Sequence, residues 1–128
     1  MSWRWIDKRM LMLLHDESLA DHGGASGLRD EGLLDSALAR PENLVAYGEK
    51  PDLADLAAAY ATGLAKNHPF VDGNKRAAFL SIGLFLGLNG HRLVAHQAEA
   101  TVAMFSLAAG DWREAELAAW IREHAQRR

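Results

Sequence analysis

The stretch "NKRAAFLSIGLFLGLNG", residues 74–90, constrains the fold more than any other part of the chain. From Ala77 to Leu88 it is apolar on nearly every side, and it stops at Asn89 and Gly90, so it reads as a helix without a polar face. Such a helix belongs in the middle of a domain, and the remaining residues must cover it.

The cover is legible as further helices. Ile6, Met10, Leu13 and Leu14 share one helical face, and Gly23 and Gly24 supply a stop. In "GLRDEGLLDSALARP", Asp30 is an N-cap ahead of Leu33, Leu34, Ala37 and Leu38, and Pro41 predicts an end near Arg40. "PENLVAYGEKPD" has proline near both ends and no helical period, which predicts a loop or small flap. Leu53, Leu56, Tyr60 and Leu64 mark a helix from a cap near Asp52 to about Asn67, and His68 is pushed out of helical geometry by Pro69. "HRLVAH" is a connector able to hold a short extended piece. Ala98, Val102, Phe105 and Ala109 define a fifth helix ending at Gly110. Asp111 to Glu114 resembles a capping box that opens a sixth, carrying Leu117, Trp120, Ile121 and His124 to the C-terminus. The expected architecture is all-α, about six helices around the buried one at about 74–89, with residues 1–128 as a single domain.

Composition narrows the function. The chain has 128 residues, 49% hydrophobic and 24% charged, which suits one packed core rather than disorder. A net charge of -3 gives no global basic field, so direct nucleic-acid binding is disfavoured. With no cysteine, only histidines and carboxylates remain as strong metal ligands. The apolar run Met10 to Leu14 is too short for a secretion signal, and no segment reaches the roughly 18 apolar residues that span a bilayer. A soluble cytoplasmic protein, with no membrane partner, is expected.

The chemistry concentrates in "HPFVDGNKRAAF", residues 68–79, at the start of the apolar helix. Unpaired N–H groups and the positive end of the helix dipole attract anions there. Lys75 and Arg76 add two cations to an end that already favours negative charge, a choice that an anion such as phosphate explains. Gly73 would let a ligand approach the backbone, Asp72 can hold a magnesium ion, and His68 is a candidate general base. Each has a plainer reading: Asp72 as an ordinary N-cap, His68 as a turn residue, Lys75 and Arg76 as solvated charges. Phe70 reads as a core anchor. A histidine and aspartate pair at His15 and Asp16, with His22 nearby, would suit a metal phosphohydrolase, but further ligands would have to come from His91 or His96, which have no supporting spacing, so local packing and capping is the preferred reading.

His68, Phe70, Asp72, Gly73, Asn74 and Arg76 match the signature of the Fic/Doc superfamily, roughly H-x-F-x-D/E-G-N-x-R. "LHDESLADHGG", "GLRDEGLLDSALARP", "NLVAYG" and "FLGLNG" likewise resemble segments of its death-on-curing (Doc) branch of toxins. Relative to the AMP-transferring Fic branch, Lys75 takes the place of a second glycine and Phe79 that of the last arginine. The resemblance therefore implies a Doc-type toxin that moves the γ-phosphate of ATP, with Mg²⁺, onto a protein hydroxyl. The target it implies is elongation factor Tu, so that translation stops. His68 would take the hydroxyl proton, and Asp72 would hold Mg²⁺ and orient the hydroxyl. Asn74, Lys75, Arg76 and the Gly73 amide would cradle phosphate. It also implies a small Phd-like antitoxin, expected between the flap around Leu44 to Tyr47 and the site mouth. The alternatives are AMP transfer by the same fold and a catalytically inactive binding module.

Overall fold

A computed structural model describes residues 2–48 and 50–128. The elements run α1 (Lys8–His22), α2 (Glu31–Ala46), α3 (Leu53–Asn67), α4 (Asn74–Leu88), β1 (His91–Leu93), α5 (Gln97–Ala109), α6 (Glu114–His124) and β2 (Ala125–Arg127). The architecture is all-α, as expected, with six helices among the described residues. The sixth helix stops at His124, and the last residues instead pair with β1 as an antiparallel ribbon, His91 opposite Arg127 and Leu93 opposite Ala125. None of these helices is long and apolar enough to cross a membrane.

The centre is shared differently from the expectation that the helix at 74–89 fills it. α4 does bury Ala77, Ala78, Ser81, Ile82, Phe85 and Leu86. α3 is the more enclosed: every residue from Leu56 to Ala65 is buried, and it packs against α2, α4, α5 and α6. Six of its fifteen residues are alanine, which lets neighbours close in on all sides, whereas the larger Phe79, Leu80, Leu84 and Leu88 of α4 stay partly exposed. At Gly63, an added Cβ would lie 3.0 Å from both Cα and Cβ of Ala37, so α2 and α3 cross almost backbone to backbone.

The predicted caps at Asp30 and Asp52 are present. Asp30 accepts the Leu33 N–H at 3.0 Å, and Asp52 forms a capping box with Asp55. The stop predicted at Pro41 is not. α2 continues to Ala46 with Pro41 inside, because Leu34, Ala37 and Pro41 form one buried row and Leu44 packs on the core. Arg40 also pairs with Glu114 at 2.6 Å. That burial outweighs the roughly 3 kcal/mol an internal proline costs a helix. The expected flap shrinks to the link between α2 and α3, in which Glu49 lies outside the described residues.

Two helical faces also differ. In α1 the buried row is Leu11, His15 and Leu19, while Met10 and Leu13 are exposed. A histidine occupies the middle of that row, so apolar spacing points one position away. In α5 the buried residues are Ala100, Ala103, Met104 and Leu107, and Val102 and Phe105 face outward.

Candidate active site

The loop between α3 and α4 is held in shape from two directions. His68 ends α3 in the left-handed region, φ 50° and ψ 54°, alone in this among the described residues other than glycine. Such a conformation is sparsely populated for a side-chain-bearing residue and persists when its surroundings enforce it. Arg29 does so: its Nε donates to the His68 carbonyl at 2.7 Å and its Nη2 to the Asn67 carbonyl at 2.8 Å. The guanidinium thus closes the negative end of the α3 dipole. The same segment continues alongside the loop. Arg29 and Asp30 N–H both donate to the Pro69 carbonyl, Leu28 bridges Phe70, and the Val71 N–H reaches Gly27 at 3.0 Å. Phe70 is buried, the anchor its sequence position suggested.

From the other side the loop rests on α1. The His15 ring is buried against Phe70, with centroids 4.1 Å apart, and its Nε2 lies 2.9 Å from the Asp72 carbonyl oxygen. Gly73 lies flat on this ring: a Cβ there would be 2.8 Å from His15 Cε1. With φ +72° it also holds a left-handed conformation, so glycine is required on the protein side and not only for ligand approach.

Asp72 is not the α4 cap. Gly73 is, and no side chain caps that end. The Asp72 carboxylate instead accepts the Gly73 N–H at 2.8 Å and, more weakly, the Ala25 N–H at 3.4 Å. The N–H groups of Asn74, Lys75 and Arg76 are left without partners among the described residues. The side chain of Asn74 does not point into this opening as a cradle needs: Oδ1 accepts from the Phe70 N–H and Nδ2 donates to the Phe70 carbonyl. Only its main-chain N–H remains available to a ligand.

These groups line one open groove of about 1070 Å³, walled by α1 and α5, that holds His68, Asp72, Gly73, Asn74, Lys75 and Arg76 together. Lys75 lies over the Phe105 ring, 5.0 Å from its centroid, and Arg76 donates to Ser18 Oγ at 3.0 Å. Phe79, where the Fic branch carries arginine, lines the groove too. Two cations beside an open helix end suit a phosphate chain, and the exposed Asp72 carboxylate, with Glu17 and Asp21 lining the same groove, suits Mg²⁺, which binds through one or two protein carboxylates and leaves its other positions to phosphate and water. Among the described residues no group of three or more histidines and carboxylates converges as a metal cage. His15 is buried and Asp16 exposed, so the pair does not form one. Leu44, in the stretch beside which a partner is expected, lines a different hollow of about 410 Å³ with Pro51, Asp55 and Glu114.

Reading the sequence missed His15 and Arg29 as supports. His15 carried a signal, a polar residue inside an apolar helix, and Arg29 carried none beyond its place in "GLRDEG".

A family model described as "Fic/DOC family" matches residues 5–86. "Protein kinase doc" of Escherichia phage P1 is 39% identical over 87 residues, covering 68% of this chain and 69% of that protein. "Toxin Doc" of Mycolicibacterium smegmatis is 51% identical over 75 residues, 57% of each chain.

Proposed function

The chain belongs to the Fic/DOC family, and from that premise we propose that it is a Doc-type toxin of a type II toxin–antitoxin system. It transfers the γ-phosphate of ATP to a hydroxyl side chain of a protein. The observation that carries this reading is the open N-terminus of α4, with Lys75 and Arg76 beside it and His68 and Asp72 on the same groove.

In this reading His68 accepts the proton of the target hydroxyl as its oxygen bonds to the γ-phosphorus, and the bond from that phosphorus to the departing ADP breaks. The N–H groups of residues 73–76, with the two side-chain cations, stabilise the charge that spreads over the transferring oxygens. Asp72 would hold Mg²⁺, which neutralises phosphate charge when bound. Asp72 must release the Gly73 N–H, or share it, when phosphate arrives. Asn74 serves through its main-chain N–H alone, its side chain being committed to Phe70.

Phe79 favours phosphoryl over AMP transfer, because a phenyl ring offers no charge to grip the far phosphates in a Fic-like pose. Residues 1–128 act as one domain, since α5 contributes Phe105 to the groove and α3 packs on α2, α4, α5 and α6. Elongation factor Tu is the proposed target, with the cytoplasm as the place of action and a Phd-like antitoxin as neutralising partner.

The test is to incubate purified protein, Mg²⁺ and elongation factor Tu with ATP labelled at the α- or the γ-phosphate, using His68→Ala as control. His68-dependent label from γ-ATP alone is the expected result. Label from α-ATP means AMP transfer instead, and no His68-dependent label from either means a binding module.

A further inference from the structure

His15 is buried to 1% exposure beneath the loop, and its only hydrogen bond among the described residues goes to the Asp72 carbonyl. A carbonyl oxygen can only accept, so Nε2 carries a proton and donates it. The other ring nitrogen, Nδ1, is buried with no partner among the described residues. Filling space does not explain that choice, because leucine would fill much of the same volume without stranding a polar atom. The bond to Asp72 is what an apolar residue would lose.

That bond sets the direction of one peptide group. The link between Asp72 and Gly73 is trans and planar, so its C=O and N–H point opposite ways. Drawing the carbonyl inward to α1 turns the Gly73 N–H outward, toward the groove, where the Asp72 carboxylate takes it at 2.8 Å. A flipped peptide would point a carbonyl oxygen, a negative dipole end, at an arriving phosphate. The close approach of Gly73 to the ring leaves the peptide plane little freedom to turn.

We infer that His15 is a positioning residue that aims the Gly73 amide into the anion cradle and, through that amide, seats the Asp72 carboxylate. It touches no reacting atom. This rests on the proposed phosphate-transfer reading, so the test needs one readout independent of transfer.

The full chain labelled with ¹⁵N is compared as wild type, His15→Leu, His15→Gln and His15→Asn. Glutamine can place an amide N–H near the Nε2 position, whereas asparagine is too short and leucine has no donor. Titration with inorganic phosphate, then with Mg²⁺–ATP, is followed at the Gly73 amide resonance, and kcat and KM for ATP are measured alongside. Wild type and His15→Gln should show the Gly73 response, while His15→Leu and His15→Asn lose it and drop in kcat/KM by about 10–100-fold, as is usual when a supporting shell is removed. If leucine prevents folding, the glutamine and asparagine pair decides. Wild-type response and kcat/KM in His15→Asn, or an equal loss in His15→Gln, overturns the inference. Should even the wild type transfer nothing, the functional reading falls and the phosphate titration still judges His15.

Discussion

The side-chain amide of Asn74 grips both polar groups of the Phe70 main chain, accepting its N–H at 2.9 Å and donating to its carbonyl at 3.1 Å. It acts as a strand edge would, tying the first residue of α4 back to the buried anchor of the loop. Two net hydrogen bonds of this kind contribute about 1–3 kcal/mol. Asn74→Ala should lower stability by that amount in urea unfolding and strip most of the transfer activity. Asn74→Asp should keep the acceptor, lose the donor, and raise KM for ATP further by placing an anion at the open helix end. An Asn74→Ala protein with unchanged unfolding midpoint and full transfer would show that the loop needs no latch.

Lys75 and Phe105 make a second relation that can be tested alone. The ring is more than half exposed, so Phe105→Ala should leave the unfolding midpoint nearly unchanged. A cation over an exposed ring is worth about 0.5–1 kcal/mol, so freeing Lys75 should raise KM for ATP about 2–5-fold. Phe105→Trp, which offers a stronger face, should hold or lower it. Equal KM values across the three proteins would mean that α5 does not organise the cradle.

Acid should weaken the molecule through Asp52. Its carboxylate takes hydrogen bonds from Arg122 Nε at 2.8 Å and Nη2 at 3.1 Å, and also caps α3. The Arg122 hydrogen bonds lower its pKa to about 2. A proton thus binds the folded form less readily than the unfolded one. The stabilisation is complete above the ordinary carboxylate range, near pH 4, and is lost as pH falls toward 2. Asp52 is half exposed, so the effect is modest and screened by salt. Asp52→Asn, which keeps an N-cap, should be less stable than wild type at pH 7, with the gap closing near pH 2. A gap that persists at pH 2 would assign the loss to something other than charge.

What the sequence displayed was whatever a short window contains. Asp30, Asp52, Gly23 and the helix from Leu53 to Asn67 are local signals, and they were legible. So was the grouping of His68, Asp72, Lys75 and Arg76, which one loop delivers to one groove. What escaped depends on partners far along the chain. His15 and Asp72 are 57 positions apart, as are none of the contacts that a helical period reports. The role of Gly73 depends on that same ring, and the role of Asn74 on a loop bent enough to bring Phe70 back to it. Pro41 reads as a stop until the buried row it shares with Leu34 and Ala37 is seen. Among the outward apolar residues of α1 and α5, Phe105 misled for a related reason: it is a wall of the groove rather than part of the core.

Arg29 closes the negative end of α3, while no side chain among the described residues caps the positive end of α4 a few residues later. The two helix ends that meet at the loop therefore do not cancel, and the open end of α4 with Lys75 and Arg76 is a local attraction for anions inside a groove that Glu17, Asp21 and Asp72 also line, in a chain of net charge -3. At physiological salt that field fades over about 8 Å. Long-range steering of anionic ligands is consequently weak, and the groove discriminates at contact: a phosphate has to arrive by ordinary diffusion before the chain's charge works in its favour.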